Sequence, residues 1–229
     1  MKLHHWFFPP LCYQCRQKSD NGQLLCDYCW QSLPYLNPDH LCQRCGLILT
    51  TVGTACGHCL QKSFAFDRCV PMLRYTSECA PLITRLKFNG QLLLADLLGY
   101  LLAEYLSQVY QNCPLPQVII PIPLHRKRLW KRGFNQSVEL SRPLSALLNI
   151  PLDIDLLSKS RNIVAQSSLD AQKRMANVRN VFNVATHTFT HVALLDDVVT
   201  TGATVNEAAK ALKVSGVKQV DVWCIARTH

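Results

Sequence analysis

The 229-residue sequence predicts an α/β domain, built as a parallel sheet flanked by helices and preceded by a small cysteine-rich head. Three observations predict it. Cysteines fall in regular pairs up to residue 59, strand-like and helix-like apolar patterns alternate beyond it, and the strand at 191–195 runs into two aspartates and a Thr/Gly turn.

The chain is long for one compact domain and suits a small module plus a core-bearing domain of about 150 residues. Hydrophobic content of 48% against 17% charged residues excludes a largely disordered chain. The net charge of +9, with eight histidines in reserve, attracts phosphates, nucleotides or a nucleic-acid backbone, or serves solubility alone; charge does not choose among these. Met1–Leu11 lacks the long apolar run and small-residue cleavage site of a secretory signal. The most apolar stretch, Gln91–Leu106, carries Asp96 and Glu104 and falls short of the roughly 18 apolar residues a membrane span needs, so no membrane insertion is expected. A cytoplasmic location is expected, where thiols stay reduced and cysteines bind metal more readily than they cross-link.

Eight of the twelve cysteines form four C-x-x-C pairs, Cys12/Cys15, Cys26/Cys29, Cys42/Cys45 and Cys56/Cys59, and the first half recurs 30 positions later. The repeat reads as a tandem duplication. Two such knuckles place four thiolates around one tetrahedral ion, so two structural Zn²⁺ ions are expected. Duplication argues for sequential pairing of the ligands, and spacing leaves interleaved pairing open. One C-x-x-C alone would equally fit a redox pair; four in register do not. His58 reads as a surface residue. Full thiolate coordination leaves no open position for water, and a unit this small needs the metal to fold. Tyr13, Tyr28, Trp30 and Tyr35 either cover the ribbons and dock them or stack on bases; the little core a ribbon has argues for cover.

The head is expected over residues 1–64 and the α/β domain over 65–229. The second part begins with a strand near Cys69–Tyr75, followed by leucine-rich helices at Glu78–Phe88 and Gln91–Tyr110. Gln117–Pro121 and His191–Leu195 are short β-rich runs suited to buried parallel strands. Asn135–Leu148 is amphipathic, Val205–Ser215 is a helix stopped by Gly216, and Gln219–Ile225 is the next strand. Ligands of such a sheet sit beyond the carboxyl ends of its strands.

The run His191–Thr204 carries the most chemistry. Its loop can aim the N–H groups of Thr200–Thr204 at a phosphate, with hydroxyls from Thr200, Thr201 and Thr204, while Gly202 allows close approach. Asp196 and Asp197 can accept hydrogen bonds from vicinal hydroxyls, which suits a ribose whose 5-phosphate lies in the adjoining loop. An acidic turn before a Thr-capped helix explains less of the run. The segment after Pro121-Ile122-Pro123 supplies five cations, Arg126, Lys127, Arg128, Lys131 and Arg132, around Trp130. Read as a loop, it grips pyrophosphate oxygens or, with Trp130 interleaved, single-stranded DNA.

LLDDVVTTGAT resembles the signature by which type I phosphoribosyltransferases hold phosphoribosyl pyrophosphate (PRPP). With the duplicated C-x-x-C head and RGFNQ at Arg132–Gln136, the whole chain resembles the ComF/GntX family, associated with competence and use of external DNA. The resemblance implies a type I phosphoribosyltransferase-like sheet. It also implies a sugar grip by Asp196 and Asp197, and a phosphate wrap by Val198, Val199, Thr200, Thr201, Gly202, Ala203 and Thr204. Mg²⁺ would be held mainly by the ligand. Arg126, Arg128 and Arg132 would take the pyrophosphate, with Lys87 and Phe88 near the pocket and Gln166, Arg174 and Asn177 matching a further family position. Ala203 stands where many salvage enzymes carry glycine and fits if its φ is negative. The implied activity is transfer of ribosyl 5-phosphate to a nitrogen acceptor that the sequence does not name. The rival reading is a competence factor that binds PRPP without turnover and contacts single-stranded DNA or a helicase-like partner. A third, a pure zinc-ribbon adaptor, leaves the aspartate pair unused.

Overall fold

The computed structural model describes residues 11–19, 24–49, 53–61, 63–89, 91–159 and 181–228. Four strands form one parallel sheet in the order β1-β6-β5-β2: β1 Arg68–Arg74, β2 Val118–Pro121, β5 His191–Val199 and β6 Gln219–Arg227. A separate antiparallel hairpin joins β3 Leu157–Lys159 to β4 Phe182–Val184. The fold is thus the α/β parallel sheet with helices that the alternating pattern predicts.

Side chains alternate across a strand, and both faces of this sheet are covered. Ile119, Ala193, Leu195, Trp223 and Ile225 face one core, shared with helices α3 Ala80–Asn89, α4 Leu93–Val109 and α6 Gln136–Leu148. Val118, Ile120, Val192, Leu194, Val220 and Val222 face the other, built with Val205, Ala208, Ala209 and Leu212 of α7 Ala203–Val214 and with Phe182 of β4. Each of the buried valine, leucine and isoleucine side chains contributes about 2 kcal/mol of transfer free energy. That is why runs such as HVALL and QVDVWCI are apolar on both faces.

α4 is rich in leucine and alanine, good helix formers, and at Gly99 it packs on α6 so closely that a Cβ there would lie 2.4 Å from Pro143 Cγ and 2.9 Å from Leu140 O. α6 starts where the Asn135 side chain accepts from Ser137 N (3.1 Å) and stops where Asn149 turns left-handed at φ 53°.

The cysteine-rich head is built into the α/β part. Its short helices are α1 Asp27–Gln31 and α2 Gly57–Gln61. Cys12, Leu25, Cys29 and Leu33 belong to the same core as Met72 and Leu73 of β1. The segment between the two ribbons lies along the free edge of β1: Tyr35 bridges Leu73 antiparallel, Leu36 N donates to Met72 O (2.9 Å) and Arg74 N to Pro34 O (2.9 Å). This contact covers an exposed strand edge. Tyr13 and Trp30 pack against the core as cover, whereas Tyr28 is 79% exposed.

Two boundaries differ from the sequence reading. β5 continues past Leu195 to Val199, because β6 runs beside it to Arg227 and pairs Val198 with Ala226 and Val199 with Arg227. The segment expected as a cationic loop is a helix, α5 Arg126–Arg132, since nothing in RKRLWKR opposes helix once Pro121 and Pro123 are passed. Among the described residues no helix is long and apolar enough to cross a membrane.

Candidate functional site

The eight paired thiols gather into two cages, Cys12/Cys15/Cys26/Cys29 and Cys42/Cys45/Cys56/Cys59, each with all four sulfurs within 4.8 Å of one another. The grouping is sequential. Cys15 and Cys26 sulfurs stand 3.7 Å apart and Cys45 and Cys56 sulfurs 3.5 Å. A tetrahedron of sulfurs about 2.3 Å from zinc has an edge of about 3.8 Å, so both donor sets fit structural Zn²⁺. Gln14 N donates to Cys12 Sγ (3.4 Å) and Cys56 N to Cys42 Sγ (3.3 Å), stabilising thiolate. Burial pushes the Cys12 thiol up, but N–H groups of Cys15, Cys26 and Gln14 outweigh it and bring it to about 6. The same balance brings Cys42 to about 7, while burial and neighbouring thiols push Cys29 and Cys59 well up. Each cage therefore offers one ready thiolate, and a bound cation would favour deprotonation of the rest. His58 is exposed, as expected, with its ring 5.5 Å from that of Phe64.

At the carboxyl ends of β2 and β5 lies a cleft of about 750 Å³. Asp196 and Asp197, inside β5, point to opposite sides of the strand, yet both line it. Asp197 is buried and ion-paired to Lys87 Nζ of α3 at 3.0 Å. Asp196 accepts from Ser137 Oγ (3.3 Å) and Asp197 N (2.9 Å). Burial raises the Asp196 carboxyl to about 7, with the charge of Asp197 adding to it and the Asp197 N–H, Lys87 and Ser137 opposing it. A carboxyl raised in this way can donate as well as accept, which suits hydroxyl recognition.

The turn after β5 is tighter than expected. Val198 and Val199 lie in the strand, Thr200–Gly202 turn, and Ala203 already opens α7, so Thr204 is in the helix's first turn. Gly202 takes φ 78°, a conformation costly for other residues, while Ala203 is helical and fits its position. Thr201 Oγ1 accepts from Ala203 N (3.3 Å), so one helix-end donor is already engaged. Backbone and side chains from Val198 to Val205 enclose a hollow of about 40 Å³ bounded also by Asp196. The Val199 side chain itself is buried in the core. Behind the turn, the Phe64 ring would stand 3.4 Å from a Cβ on Gly202, and Asn206 Oδ1 accepts from Ala65 N (2.7 Å). Phe64 stacks on Phe66 at 4.6 Å and packs against the second cysteine cage.

α5 has two faces. Arg128, Lys131 and Arg132, spaced i, i+3, i+4, line the cleft. Arg126, grouped in the expectation with the pyrophosphate grip, is not brought there. Two residues from Arg128 it lies on the far side of the helix, with Leu129, Trp130 and Gly133 around a separate hollow. Trp130 is 92% exposed and anchors nothing among the described residues. The RGFNQ run shapes the join: Arg132 donates to Gln136 Oε1, and Asn135 Nδ2 donates to Ile122 O (3.1 Å) while Asn135 Oδ1 caps α6 by accepting from Ser137 N. Ser137 is thereby delivered to Asp196.

The family model described as a double zinc ribbon domain matches residues 3–60. DNA utilization protein YhgH of Shigella flexneri is 38% identical over 96% of this chain and 98% of its own length. Competence protein F of Haemophilus influenzae is 36% identical over the same shares. The chain belongs to the ComF/GntX family. Competence protein ComFC of Streptococcus pneumoniae is 30% identical over 67% of this ComF/GntX chain and 65% of the relative. Two solved structures resemble part of it weakly. A glutamine PRPP amidotransferase from B. subtilis gives a TM-score of 0.40 at 18% identity, over 57% of this chain and 25% of that one. A purine phosphoribosyltransferase from Pyrococcus horikoshii gives 0.35 at 21%, over 58% and 72%.

Several residues of the ComF/GntX cleft escape sequence reasoning. Tyr75, Thr84 and Lys159 line it, and Lys159 stands 5.6 Å over the Phe182 ring. Burial pushes the Lys159 ammonium down, with Asp196 opposing and Arg128 adding. No local pattern marks Lys159, which sits alone in a three-residue strand. Phe64 and Arg227 reach the turn from distant segments, and only the folded chain joins them to it. Gln166, Arg174 and Asn177 lie outside the described residues, as do the side chains of Lys127 and Phe88.

Proposed function

We propose that the cleft binds PRPP together with Mg²⁺, in a phosphoribosyltransferase-like chain serving competence and the use of external DNA. One observation carries the reading: the aspartate pair, Thr204 and the cations Arg128, Lys131 and Arg132 all open on one cleft, which adjoins the hollow of the Thr200–Gly202 turn. An anion in that hollow meets the amino end of α7 and its dipole. Asp196 and Asp197 then take the ribose hydroxyls, and the cationic face of α5 takes the pyrophosphate. Residues 1–64 form the ribbon domain in this reading and 65–229 the ligand-binding domain.

Asp197 is already paired with Lys87, so the chain offers a cation little beyond Asp196; this donor set fits Mg²⁺ carried in by the ligand's own oxygens. When bound, the ion neutralises charge on the pyrophosphate. Cleavage of the bond from ribose C1 to pyrophosphate passes through a cation-like transition state, during which Arg128, Lys131 and Arg132 stabilise the departing oxygens and Asp197 steadies the sugar.

A second reading, ligand binding without turnover alongside single-stranded DNA, is favoured by the outer face of α5. There Arg126 and Leu129 flank the exposed Trp130, an arrangement of cation and aromatic that stacks on bases. Purified protein incubated with PRPP, Mg²⁺ and a panel of nitrogenous bases separates the two. Release of pyrophosphate with one base supports transfer, Mg²⁺-dependent binding without release supports the second reading, and no binding contradicts both.

A further inference from the structure

Three charged carboxylate or guanidinium side chains among the described residues are buried: Asp197 at 4% exposure, Asp221 at 0% and Arg227 at 3%. Two meet a complementary ionisable side chain inside the chain. Asp197 has Lys87 at 3.0 Å. Asp221, at the opposite end of the sheet, receives Tyr110 Oη (2.6 Å) and Gln219 Nε2 (3.3 Å) and meets His191 Nε2 at 3.0 Å. Arg227 has none: no carboxylate among the described residues lies within 4.0 Å of its nitrogens, and its buried Nε–H has no hydrogen-bond partner.

A buried guanidinium without an anion is costly, so its surroundings indicate what offsets it. Arg227 Nη1 donates to Thr200 O (2.7 Å) and Val199 O (3.3 Å), the carbonyls entering the turn after β5. Each carbonyl shares its peptide unit with an amide of that turn: Val199 C=O with Thr200 N–H, and Thr200 C=O with Thr201 N–H. Donation of a charged hydrogen bond to one end of a peptide unit polarises it and strengthens the donor at the other end.

We propose that Arg227 is a positioning residue for anion binding, tuning the Thr200–Thr204 turn from behind through these two peptide units, and that a phosphate monoester held in the turn supplies its missing counter-charge. This rests on the PRPP reading, because it assumes that the turn takes the 5-phosphate. The other titratable groups near Arg227 are the buried thiols Cys69 on β1 and Cys224 on β6, with Asp196 on β5 near Cys224. Burial pushes the Cys224 thiol up; the Cys69 thiol, lowered by its hydrogen bond with Cys224 and by Arg227, carries at most one charge, against nearly two on a phosphate monoester.

The test is calorimetric titration of ribose 5-phosphate, and separately of pyrophosphate with Mg²⁺, into wild type, Arg227→Met and Arg227→Lys. Loss of the charged bond in Arg227→Met should weaken ribose 5-phosphate by about tenfold or more, with Arg227→Lys restoring most of it and pyrophosphate unchanged within about twofold. Equal ribose 5-phosphate affinity in wild type and Arg227→Met, or no rescue by Arg227→Lys, overturns the proposal while leaving the PRPP reading intact. Wild type that binds pyrophosphate but no ribose 5-phosphate overturns both. Should Arg227→Met fail to fold, the Arg227 Nε–H resonance of ¹⁵N-arginine-labelled wild type decides: a shift with ribose 5-phosphate but not with ribose supports the proposal, and no shift at saturation overturns it.

Discussion

The ring of Phe64 lies against Gly202, 3.4 Å from where a Cβ would stand, so the residue closing the second cysteine cage also walls the turn at the end of β5. Zinc in that cage thus supports the turn after β5 across a single side chain. Phe64→Ala should lower stability by about 1–3 kcal/mol and weaken ribose 5-phosphate binding several-fold, about as much as chelating the zinc from wild type. Thermal melts, zinc content and phosphate titration check this together. Chelated protein with undiminished phosphate affinity would separate the head from the turn.

In the proposed function, Asp196 sits where ligand recognition and stability oppose one another. Its carboxyl is raised to about 7 in the folded chain, above its value of 3.8 in the unfolded one. The folded state therefore holds the proton more tightly. The stabilisation is complete below about pH 4, is lost as pH rises towards 7, and stays lost above it. Asp196→Asn removes the titration. At pH 8 the variant should be more stable by about 1–3 kcal/mol, a figure discounted for the partial exposure of Asp196, while PRPP affinity falls about tenfold. Melting curves at pH 5 and pH 8 give the sign: the advantage should grow with pH, and a variant less stable at pH 8 contradicts the burial account.

The contact of α4 with α6 leaves no room for a methyl group at Gly99. Pro143 and the Leu140 carbonyl are both fixed within an α-helix, so Gly99→Ala should destabilise by about 1–3 kcal/mol despite its better helix propensity. Urea unfolding with an unchanged slope and an earlier midpoint is the expected record, and a midpoint at or above that of wild type contradicts it. Ligand affinity should be untouched at low denaturant.

Much of this was legible because spacing is local. Four C-x-x-C pairs announce two cages, and an apolar strand that carries Asp196-Asp197 shortly before Thr200-Thr201-Gly202 announces a candidate site at the end of a strand. RGFNQ was legible as a family mark but not as a device, since its work is done by Asn135 bonding Ile122 and Ser137 reaching Asp196. The placing of Arg126 depends on the helix: in a loop all five cations can converge, whereas α5 sends Arg126 and Arg128 to different hollows. Lys159, Phe64 and Arg227 carry no local pattern: the β3–β4 hairpin holds Lys159 at the cleft, the pairing of β5 with β6 brings Arg227 to the turn, and the docking of the ribbons brings Phe64 there.

The most direct test is calorimetric titration of PRPP, with and without Mg²⁺, into wild type and the double variant Asp196→Asn/Asp197→Asn. Mg²⁺-dependent binding to wild type that disappears in the double variant is the predicted result. Equal affinity in the two proteins would contradict the sugar grip at the end of β5, and with it the function proposed for the cleft.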